Sequence, residues 1–418
     1  MNSLIKIFGI FICIISICVG TGGCNKNKEK EEVTLNIIAD STVQDEVRNA
    51  ANFFEKTQKI NINIEILPTE ITDRSTVIQK LHTEIMAGKG ADVYIMDTDI
   101  DTSEMKEELF PNPYQTMQSG ALAALDEYMA EDSYWNDNNN TYNMEILKAG
   151  EYDKKQYIIP ISCSYYVFSG QEGSEKMTGS TLEEWLNQSI KTSDLNLKNT
   201  IGRMLYLTSN RWFQPAINFE KQEVIFDKKK WEEFAISYLE LCQETMSNNE
   251  ERKEDSYQLV PIRTYLNGEN RFFQVMPDLE GRKVASVVTY GAVGMSSDYK
   301  KEAYEFLMLF LNDKMEKESE KEHTGSMMRR FNGSVGIPVQ KNEIKNCLSE
   351  WSDDKVLAVE ESLQEIEGAY FMIDADRELA SAMQEKVEWG VEPKEGWEMF
   401  VLNLAETSWK KYEMQIKE

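Results

Sequence analysis

The sequence predicts an α/β protein with more than one core, in which parallel strands are covered by helices. Strands and helices alternate along residues 33 to 96, and this order favours right-handed crossovers and a parallel sheet. A chain of 418 residues is too long for one ordinary core, so two or three domains are expected. With 41% hydrophobic and 10% aromatic residues, the chain has enough material to fill those cores.

The alternation can be followed element by element. The apolar run at 33–39 predicts a buried strand, and apolar residues at helical spacing follow at 43–54. Isoleucine at every second position of 60–66 predicts the next strand. A second helix is expected to end at Gly88, and DVYIM at 92–96 predicts a third strand. In such sheets, ligands bind outside the carboxyl ends of the strands.

Beyond residue 96, the sequence predicts one further strand and six helices. QYIIPIS at 156–162 predicts one apolar strand. Polar stretches predict surface loops or disordered tips at 131–143, 247–256 and 316–330. Helices are expected at 181–191, 228–246, 298–313, 354–367, 375–389 and 394–414.

The first residues predict a secreted protein with a lipid anchor. Residues 4–19 are almost entirely apolar, but they are fewer than the roughly 20 residues that span a bilayer, so they indicate a secretory signal. Small residues at 21–23 precede Cys24 and resemble the lipobox of bacterial lipoproteins. The resemblance implies that 1–23 is a signal peptide, that Cys24 is acylated, and that 24–32 is a tether at the outer face of the cell membrane. An ordinary cleaved signal, with no role for Cys24, is the alternative.

Composition excludes several classes of function. The chain has 72 acidic and 45 basic residues and a net charge of −27, which is the wrong sign for binding nucleic acid. Two histidines argue against histidine-rich metal sites and histidine-based triads. The sequence contains neither a P-loop nor a nucleophile elbow. We therefore expect none of these types of site. That the protein has no enzymatic activity and no cofactor is an expectation from the family resemblance described below.

One acidic cluster has the spacing of a calcium loop. Asp97, Asp99 and Asp101 are followed by Glu108 at the twelfth position. However, Thr102 occupies the sixth position, where that loop needs glycine for a left-handed turn. The sequence therefore predicts no metal site here.

The cysteines do not form a disulfide framework. Beyond the signal and Cys24, the chain contains Cys163, Cys242 and Cys347, an odd and widely spaced set. Cys242 falls on the apolar stripe of a predicted helix, which indicates a buried thiol. Whether two of the three cysteines form a disulfide is left open.

Several segments, in order, resemble the extracellular solute-binding proteins of ABC importers, in particular the carbohydrate-binding branch related to maltodextrin-binding protein. These segments are AANFFEKTQKININIEI, GKGADVYIMD, YIIPISCSYYVFS, TLEEWLN, YGAVGMSSDYKKEAYEFLMLFLND and GSVGIPVQKNE. The resemblance implies a two-lobed periplasmic-binding-protein-like fold, in which each lobe is a mostly parallel sheet flanked by helices and hinge strands join the lobes. It implies one lobe of 33–162 with 293–336, and a second of 163–292 with 337–418.

The same resemblance implies a monomer that binds a solute, most often a carbohydrate, in the cleft between the lobes and delivers it to the importer's permease subunits. It places solute-binding residues after the first and third strands, past the first hinge, within the second lobe and beside the second hinge. These residues are Asp40, Ser41, Asp97, Asp99, Ser164, Tyr165, Trp212, Phe213, Tyr290 and Gly291.

Several of these residues have a structural alternative. Ser41 with Gln44 fits a capping box, so Ser41 is equally well explained as a helix cap. Trp212 suits core packing, and if the strand continues only one of Tyr165 and Tyr166 faces the cleft; we favour Tyr165. Three arginines are candidates to pair with an acidic sugar, although a surface ion pair is the commoner role: Arg211, Arg263 and Arg271.

Two other functions remain open at this point. A sensory or adhesion lipoprotein can have the same fold without a permease. A tethered glycoside hydrolase needs only two carboxylates, which this chain has in abundance, but the sequence lacks the eight repeats of a barrel. The identity of the solute is also open, since a peptide, a polyamine or a metal chelate is compatible with the sequence.

Overall fold

A computed structural model describes residues 33–98, 106–247, 257–265, 271–328, 336–348, 351–388 and 396–417. The predicted signal segment, the tether and Cys24 lie outside the described residues, as does the predicted site residue Asp99. Within the described part, no helix has both the length and the apolar character needed to cross a membrane.

Strands and helices are interspersed along the described chain. The strands are β1 (Thr34–Ala39), β2 (Asn61–Ile66), β3 (Val93–Asp97), β4 (Glu151–Tyr152), β5 (Lys155–Gln156), β6 (Ile158–Pro160), β7 (Ser162–Ser164), β8 (Tyr166–Gln171), β9 (Ile217–Asn218), β10 (Glu223–Val224), β11 (Tyr257–Pro261), β12 (Arg271–Val275), β13 (Val284–Val287), β14 (Thr289–Val293), β15 (Ile337–Pro338) and β16 (Gly368–Tyr370).

The helices are α1 (Gln44–Gln58), α2 (Ile71–Met86), α3 (Pro113–Gln118), α4 (Asp126–Glu131), α5 (Ser133–Asn138), α6 (Met144–Leu147), α7 (Leu182–Lys191), α8 (Leu195–Met204), α9 (Lys228–Ser247), α10 (Ile262–Tyr265), α11 (Lys300–Leu307), α12 (Asp313–Lys321), α13 (Lys341–Cys347), α14 (Asp353–Gln364), α15 (Asp374–Glu388) and α16 (Trp397–Lys417). Short 3-10 turns include Ser41–Val43, Leu205–Arg211 and Met308–Leu311.

The first sheet has the strand order β2-β1-β3-β14-β6. The strands β2 and β3 both pair in parallel with β1, which confirms the strand–helix–strand–helix–strand prediction. Successive side chains of β1 reach opposite faces, so Ile37 packs with the cluster around α1 and Ile38 with the cluster around α2. Both faces of this sheet are therefore covered by helices.

The other sheets are mixed or antiparallel rather than mostly parallel. The second sheet has the order β15-β7-β13-β16, in which only β13 and β16 are parallel. The third sheet, β11-β8-β12, is antiparallel throughout. Most neighbouring strands in these two sheets are antiparallel. An alternation of strands and helices predicts parallel strands, so it did not predict this arrangement.

The chain passes between the first and the second sheet at two points. β6 belongs to the first sheet and β7 to the second, with Ile161 between them; β13 belongs to the second sheet and β14 to the first, with Val288 between them. The two crossings are bonded to each other, because the Ile161 N–H donates to Thr289 O (2.7 Å) and the Val288 N–H donates to Ser162 O (2.9 Å). This pairing fixes the crossings side by side.

Three local predictions are corrected by the structure. The predicted strand at 156–162 is interrupted, because the chain leaves one sheet and enters another within it. The stretch 131–143, predicted as a loop, contains α5, where Trp135 stacks on Tyr142 with ring centroids 4.7 Å apart. Part of the predicted loop at 316–330 belongs to the helix α12.

Ser41 is not a helix cap. It begins a 3-10 turn at 41–43, and the residue that caps α1 is Val43, which makes no side-chain capping hydrogen bond. The extra turn moves the helix start beyond the reach of the Ser41 hydroxyl, so the capping-box prediction is wrong.

Trp212 lies in the aromatic core of the second half of the chain. Its indole is fully buried, its ring packs against Trp231, Phe234 and Tyr238, and its Nε1 donates to Thr208 Oγ1 at 3.1 Å. Aromatic rings thus pack against the indole, and its only hydrogen-bond donor has an acceptor. Trp212 therefore has the core-packing role that the sequence offered as the alternative to solute binding.

Replacing Trp212 by alanine is expected to lower the free energy of unfolding by about 3–5 kcal/mol, because the change leaves a large cavity in the core. Trp409→Ala is the matched control, since this indole is only half-buried, and it should cost distinctly less. Urea unfolding followed by far-ultraviolet circular dichroism measures both. Equal losses in the two variants would contradict the core role of Trp212.

Candidate functional site

The carboxyl ends of the parallel strands from both sheets meet beside the two crossings. β3 of the first sheet ends at Asp97, and the N–H of the next residue, Thr98, donates to Val288 O at 2.7 Å. β16 of the second sheet ends one residue before Phe371, whose ring centroid lies 5.1 Å from that of Tyr290 on β14. We call this region, with the buried polar residues described next, the junction.

Asp40, which follows β1, is buried at the junction and has two cationic partners. The guanidinium of Arg74 lies 2.9 Å from its Oδ2, and Lys106 Nζ lies 2.8 Å from its Oδ1. The Nε of Arg74 also donates to Glu107 O at 2.5 Å. These contacts tie the end of β1 to α2 and to the segment 106–108, so the predicted site residue Asp40 anchors one wall of the junction.

Asp97, at the end of β3, is held by hydroxyl groups. Thr42 Oγ1 donates to its Oδ2 at 2.8 Å and Thr289 Oγ1 donates to its Oδ1 at 3.2 Å. Burial raises the pKa of Asp97 to about 6, with the charge of Lys106 acting in the opposite direction. This carboxyl therefore titrates in a mildly acidic range, well above an exposed aspartate.

A buried ion pair joins the first-sheet side of the junction to a helix of the second half. Glu108 Oε1 lies 2.5 Å from the guanidinium of Arg377 on α15. Arg377 also pairs with Asp374 at 2.9 Å and donates to Met372 O at 3.1 Å. Burial raises the pKa of Glu108 to about 7, although the positive charge of Arg377 lowers it.

The short helix α3 adds further contacts across the junction. Tyr114 stacks on Phe219 with ring centroids 4.4 Å apart, and its hydroxyl accepts from the Phe371 N–H at 3.1 Å. Asn112 Nδ2 donates to Gln415 Oε1 at 2.8 Å. The segment that follows the third strand thus reaches both the end of β16 and the last helix.

Three predicted site residues lie at or beside the junction without an exposed side chain. Tyr290 is buried against Phe371, and burial raises the pKa of its hydroxyl well above the usual range. Gly291, its neighbour on β14, is required for packing, because a Cβ there would lie 2.1 Å from Leu307 Cδ1. Ser164 is buried in β7, where its carbonyl accepts from Ser286 Oγ at 3.1 Å.

Of the two adjacent tyrosines, Tyr166 has the side-chain position better suited to contact with a solute. Tyr165 is fully buried in the first core, and its hydroxyl lies 2.5 Å from Ser362 Oγ on α14. Tyr166 is half-buried and stacks under the guanidinium of Arg211. The expectation that Tyr165 is the residue that faces the solute therefore has no support from its surroundings.

The remaining predicted residues are not brought together. Phe213 lies with Trp212 in the aromatic core, edge-on to Phe226 and beneath the guanidinium of Arg282. Ser41 is half-buried next to the junction, with its hydroxyl 3.4 Å from Asp40 Oδ1. Asp99 belongs to the segment that the structure does not describe. The binding role of each of these residues stays a prediction.

The junction also contains three basic residues that were not predicted as site residues. Arg74, Lys106 and Arg377 supply its positive charges. Arg377 comes from a helix near the end of the chain, and no local motif marks it. Glu108 was noticed only as a calcium-loop position, and it pairs with arginine instead. Among the described residues, no cluster of histidine, cysteine and acidic side chains is arranged to hold a metal ion.

The junction should make stability depend on pH. Asp97 has a raised pKa in the folded protein, so its contribution to stability is complete below about pH 4 and is lost as the pH rises through about 6. The shift corresponds to at most about 3 kcal/mol. We expect Asp97→Asn to flatten the stability profile over this range in urea unfolding, and the exposed-site control Asp126→Asn to leave it unchanged. A profile for Asp97→Asn as steep as the wild type would contradict this assignment.

No protein-family model matches the sequence, and no curated protein does. Solved structures do resemble the chain. An extracellular solute-binding protein of family 1 from Alicyclobacillus acidocaldarius matches with a TM-score of 0.59 and 14% identity, covering 93% of this chain and 99% of that chain. A cyclic alpha-maltosyl-1,6-maltose binding protein from Arthrobacter globiformis matches with a TM-score of 0.56 and 16% identity, covering 92% and 100%.

An ABC substrate-binding protein from Listeria monocytogenes, solved in complex with cycloalternan, matches with a TM-score of 0.53 and 16% identity. It covers 92% of this chain and 98% of that chain. Each match extends over nearly the whole length of this chain and of the chain it is compared with. The similarity therefore concerns the whole fold and not one domain. The protein therefore has the two-lobed periplasmic-binding-protein-like fold of the extracellular solute-binding proteins.

Proposed function

We propose that this protein is the solute-binding component of an ABC importer and that it holds a small polar solute, a sugar or an oligosaccharide, at the junction between two lobes. The observation that carries this proposal is the convergence of strand ends from both sheets on one buried polar region. Binding sites of α/β proteins lie at such ends. The fold adds the second support, because the solved structures that share it include binding proteins for cyclic saccharides.

We propose hinges at Ile161 and Val288. Each is the one residue between a strand of the first sheet and a strand of the second. A change in the backbone angles at these two residues would rotate one sheet relative to the other without breaking either. The predicted lobe limits, 33–162 with 293–336 and 163–292 with 337–418, stay proposals; β14 pairs within the first sheet, which favours a second hinge nearer to Val288.

Contacts across the junction give the lobes a closed arrangement that a solute can stabilise or replace. The ion pair of Glu108 with Arg377 and the stacking of Tyr114 on Phe219 both join segments that the hinges separate. A solute that makes more contacts in the closed form than in the open form shifts the population toward closure. That difference is what an importer would recognise.

The aromatic rings near the junction suit a carbohydrate. Tyr114 and Tyr166 are only half-buried, whereas Tyr290 and Phe371 are buried against each other. Sugars present apolar CH faces to such rings and hydroxyl groups to carboxylates and amides.

We propose that the protein binds its solute without transforming it. The thiol of Cys163 is buried, which raises its pKa to about 12 and disfavours the reactive thiolate. His82 is occupied by a hydrogen bond between its Nε2 and Leu109 O at 2.7 Å. Neither residue is placed with a partner that would make it a nucleophile or a base in the described part of the chain.

We propose further that the protein is anchored to the outer face of the cell membrane through acylated Cys24 and passes its solute to permease subunits. A diacylglycerol group and a further chain supply the two lipid signals that stable anchoring requires. Cys24→Ala should move the protein from the membrane fraction to the soluble or culture fraction, whereas Cys242→Ala, which changes a buried thiol, should leave it at the membrane. Membrane retention of Cys24→Ala would exclude lipid anchoring at this residue.

Solute binding is tested by a thermal-shift screen of the full chain, purified in detergent, against a glycan library. A true solute at 100 times its dissociation constant should add about 2.7 kcal/mol to the free energy of unfolding. We expect one class of sugar to raise the melting temperature and the others to have no effect. Turnover of the glycan would indicate a hydrolase, and no shift with any glycan would contradict the proposed sugar specificity.

A further inference from the structure

Three arginines are buried among the described residues, and one of them has no anionic partner. Arg74 pairs with Asp40, and Arg377 pairs with Glu108 and Asp374. Arg211 is only 6% exposed, yet no carboxylate of the described residues forms an ion pair with it. From the sequence, a surface ion pair was the favoured role of Arg211 and pairing with an acidic sugar was the alternative. Arg211 is not at the surface, and no described carboxylate pairs with it.

The guanidinium of Arg211 makes only part of the contacts it is capable of. Its Nη1 donates to Ser286 Oγ at 3.1 Å and to Tyr370 OH at 3.3 Å, and its Cζ lies 5.0 Å from the ring centroid of Tyr166. Its Nη2 is buried and has no hydrogen-bond partner among the residues that the structure describes. Hydroxyls and an aromatic face orient the cation, but they do not neutralise it.

Two buried acidic residues that, like Arg211, act on Tyr370 electrostatically are already occupied. Asp278 forms an ion pair with Arg282 at 2.7 Å and accepts from two backbone N–H groups. Asp376 accepts from Gln214 Nε2 and Tyr412 OH, both at 2.8 Å, and from the Ile373 N–H at 3.0 Å. Neither carboxylate forms an ion pair with Arg211, so the described residues do not supply the missing negative charge.

An unpaired buried guanidinium is costly and cannot escape the cost by losing its proton. A buried polar group without a partner needs an explanation, and a ligand that supplies the partner is one. Tyr370 OH accepts from Arg211 and keeps its own proton available as a donor. The pair formed by Arg211 Nη2 and Tyr370 OH therefore presents two donors to one oxyanion.

This arrangement lies at the junction. Ser286 comes two residues before the crossing residue Val288, and Tyr370 is the last residue of β16. The next residue, Phe371, packs on Tyr290. Tyr166, which follows the first crossing and packs against the guanidinium of Arg211, is only half-buried. A solute held at the junction can thus extend toward Arg211.

We propose, on the basis of the proposed solute-binding function, that Arg211 binds a carboxylate of the solute and that the solute is an acidic sugar of the uronate class. A carboxylate matches the single charge of one guanidinium, whereas a phosphate brings a second negative charge that this site does not balance. Ser286 and Tyr166 position the guanidinium, and Tyr370 donates a second hydrogen bond to the carboxylate.

The binding test compares matched sugar pairs by titration calorimetry with the full chain: glucose with glucuronate, galactose with galacturonate, and their short oligomers, with glucose 6-phosphate as a further arm. We expect the uronate member of one pair to bind and its neutral partner to bind at least tenfold more weakly. Arg211→Gln should weaken uronate binding about tenfold to a hundredfold, as expected for the loss of a charged hydrogen-bonded pair. Arg282→Gln is the control, because that guanidinium already pairs with Asp278.

The outcomes separate this inference from the proposed function. Equal binding of neutral and acidic partners, unchanged affinity of Arg211→Gln, or preference for glucose 6-phosphate would overturn the uronate assignment and leave sugar binding intact. Binding of no sugar of either kind would overturn the proposed function and the assignment with it.

A second measurement needs no solute. Replacing an unpaired buried cation by an apolar side chain should relieve its cost, so Arg211→Met should raise the urea midpoint of the solute-free protein. Arg74→Met removes a guanidinium that is paired with Asp40 and should lower the midpoint. If Arg211→Met lowers the midpoint as Arg74→Met does, Arg211 is a structural residue and the inference is wrong.

Discussion

The structure depends on one constraint: the chain passes between two sheets at adjacent points that are hydrogen-bonded to each other. Because Ile161 bonds to Thr289 and Val288 bonds to Ser162, the crossings cannot separate without breaking strand pairing on both sides. The carboxyl ends of the strands that meet there are therefore held next to each other. The polar residues of both halves are brought to one place by backbone geometry before any side chain contributes.

Burial and ion pairing together determine the state of the carboxylates at the junction. Burial penalises each carboxylate, which is why the pKa values of Asp97 and Glu108 are raised to about 6 and about 7. Asp40 and Glu108 are each supplied with a cation from another element. A paired buried ion contributes little to stability on its own, but it disfavours every arrangement that separates the partners. Such pairs therefore select one relative position of the segments they join.

Local sequence patterns predicted the parallel strands and the helices of the first sheet well. The alternation of apolar residues at 60–66 and the helical spacing at 43–54 correspond to β2 and α1, since period and burial coincide there. The carboxyl ends of β1 and β3 followed from the same reasoning, so Asp40 and Asp97 were identified as candidates. The interrupted strand at 156–162 was not predicted, because an apolar run looks the same whether it stays in one sheet or crosses between two.

Partners from distant parts of the chain were beyond the reach of sequence reasoning. Arg377 meets Glu108 across 269 positions, and nothing near either residue indicates the other. Trp212 was selected for its aromatic character in a loop-like context, while its neighbour Arg211 faces Ser286 and Tyr370. Which of two adjacent residues faces a polar region depends on the 3-10 turn at 205–211, and this turn has no clear sequence signal.

Small-angle neutron scattering of the full chain in detergent, in a H2O/D2O mixture that matches out the detergent micelle, tests the hinged junction most directly. It should be recorded with and without a sugar that raises the melting temperature. If two halves close on a solute about Ile161 and Val288, the radius of gyration should fall on binding. The open form should be more populated in the Arg377→Gln variant than in the wild type, because the variant lacks the ion pair across the junction. Superimposable profiles with and without a bound sugar, in both proteins, would contradict a hinged solute-binding protein.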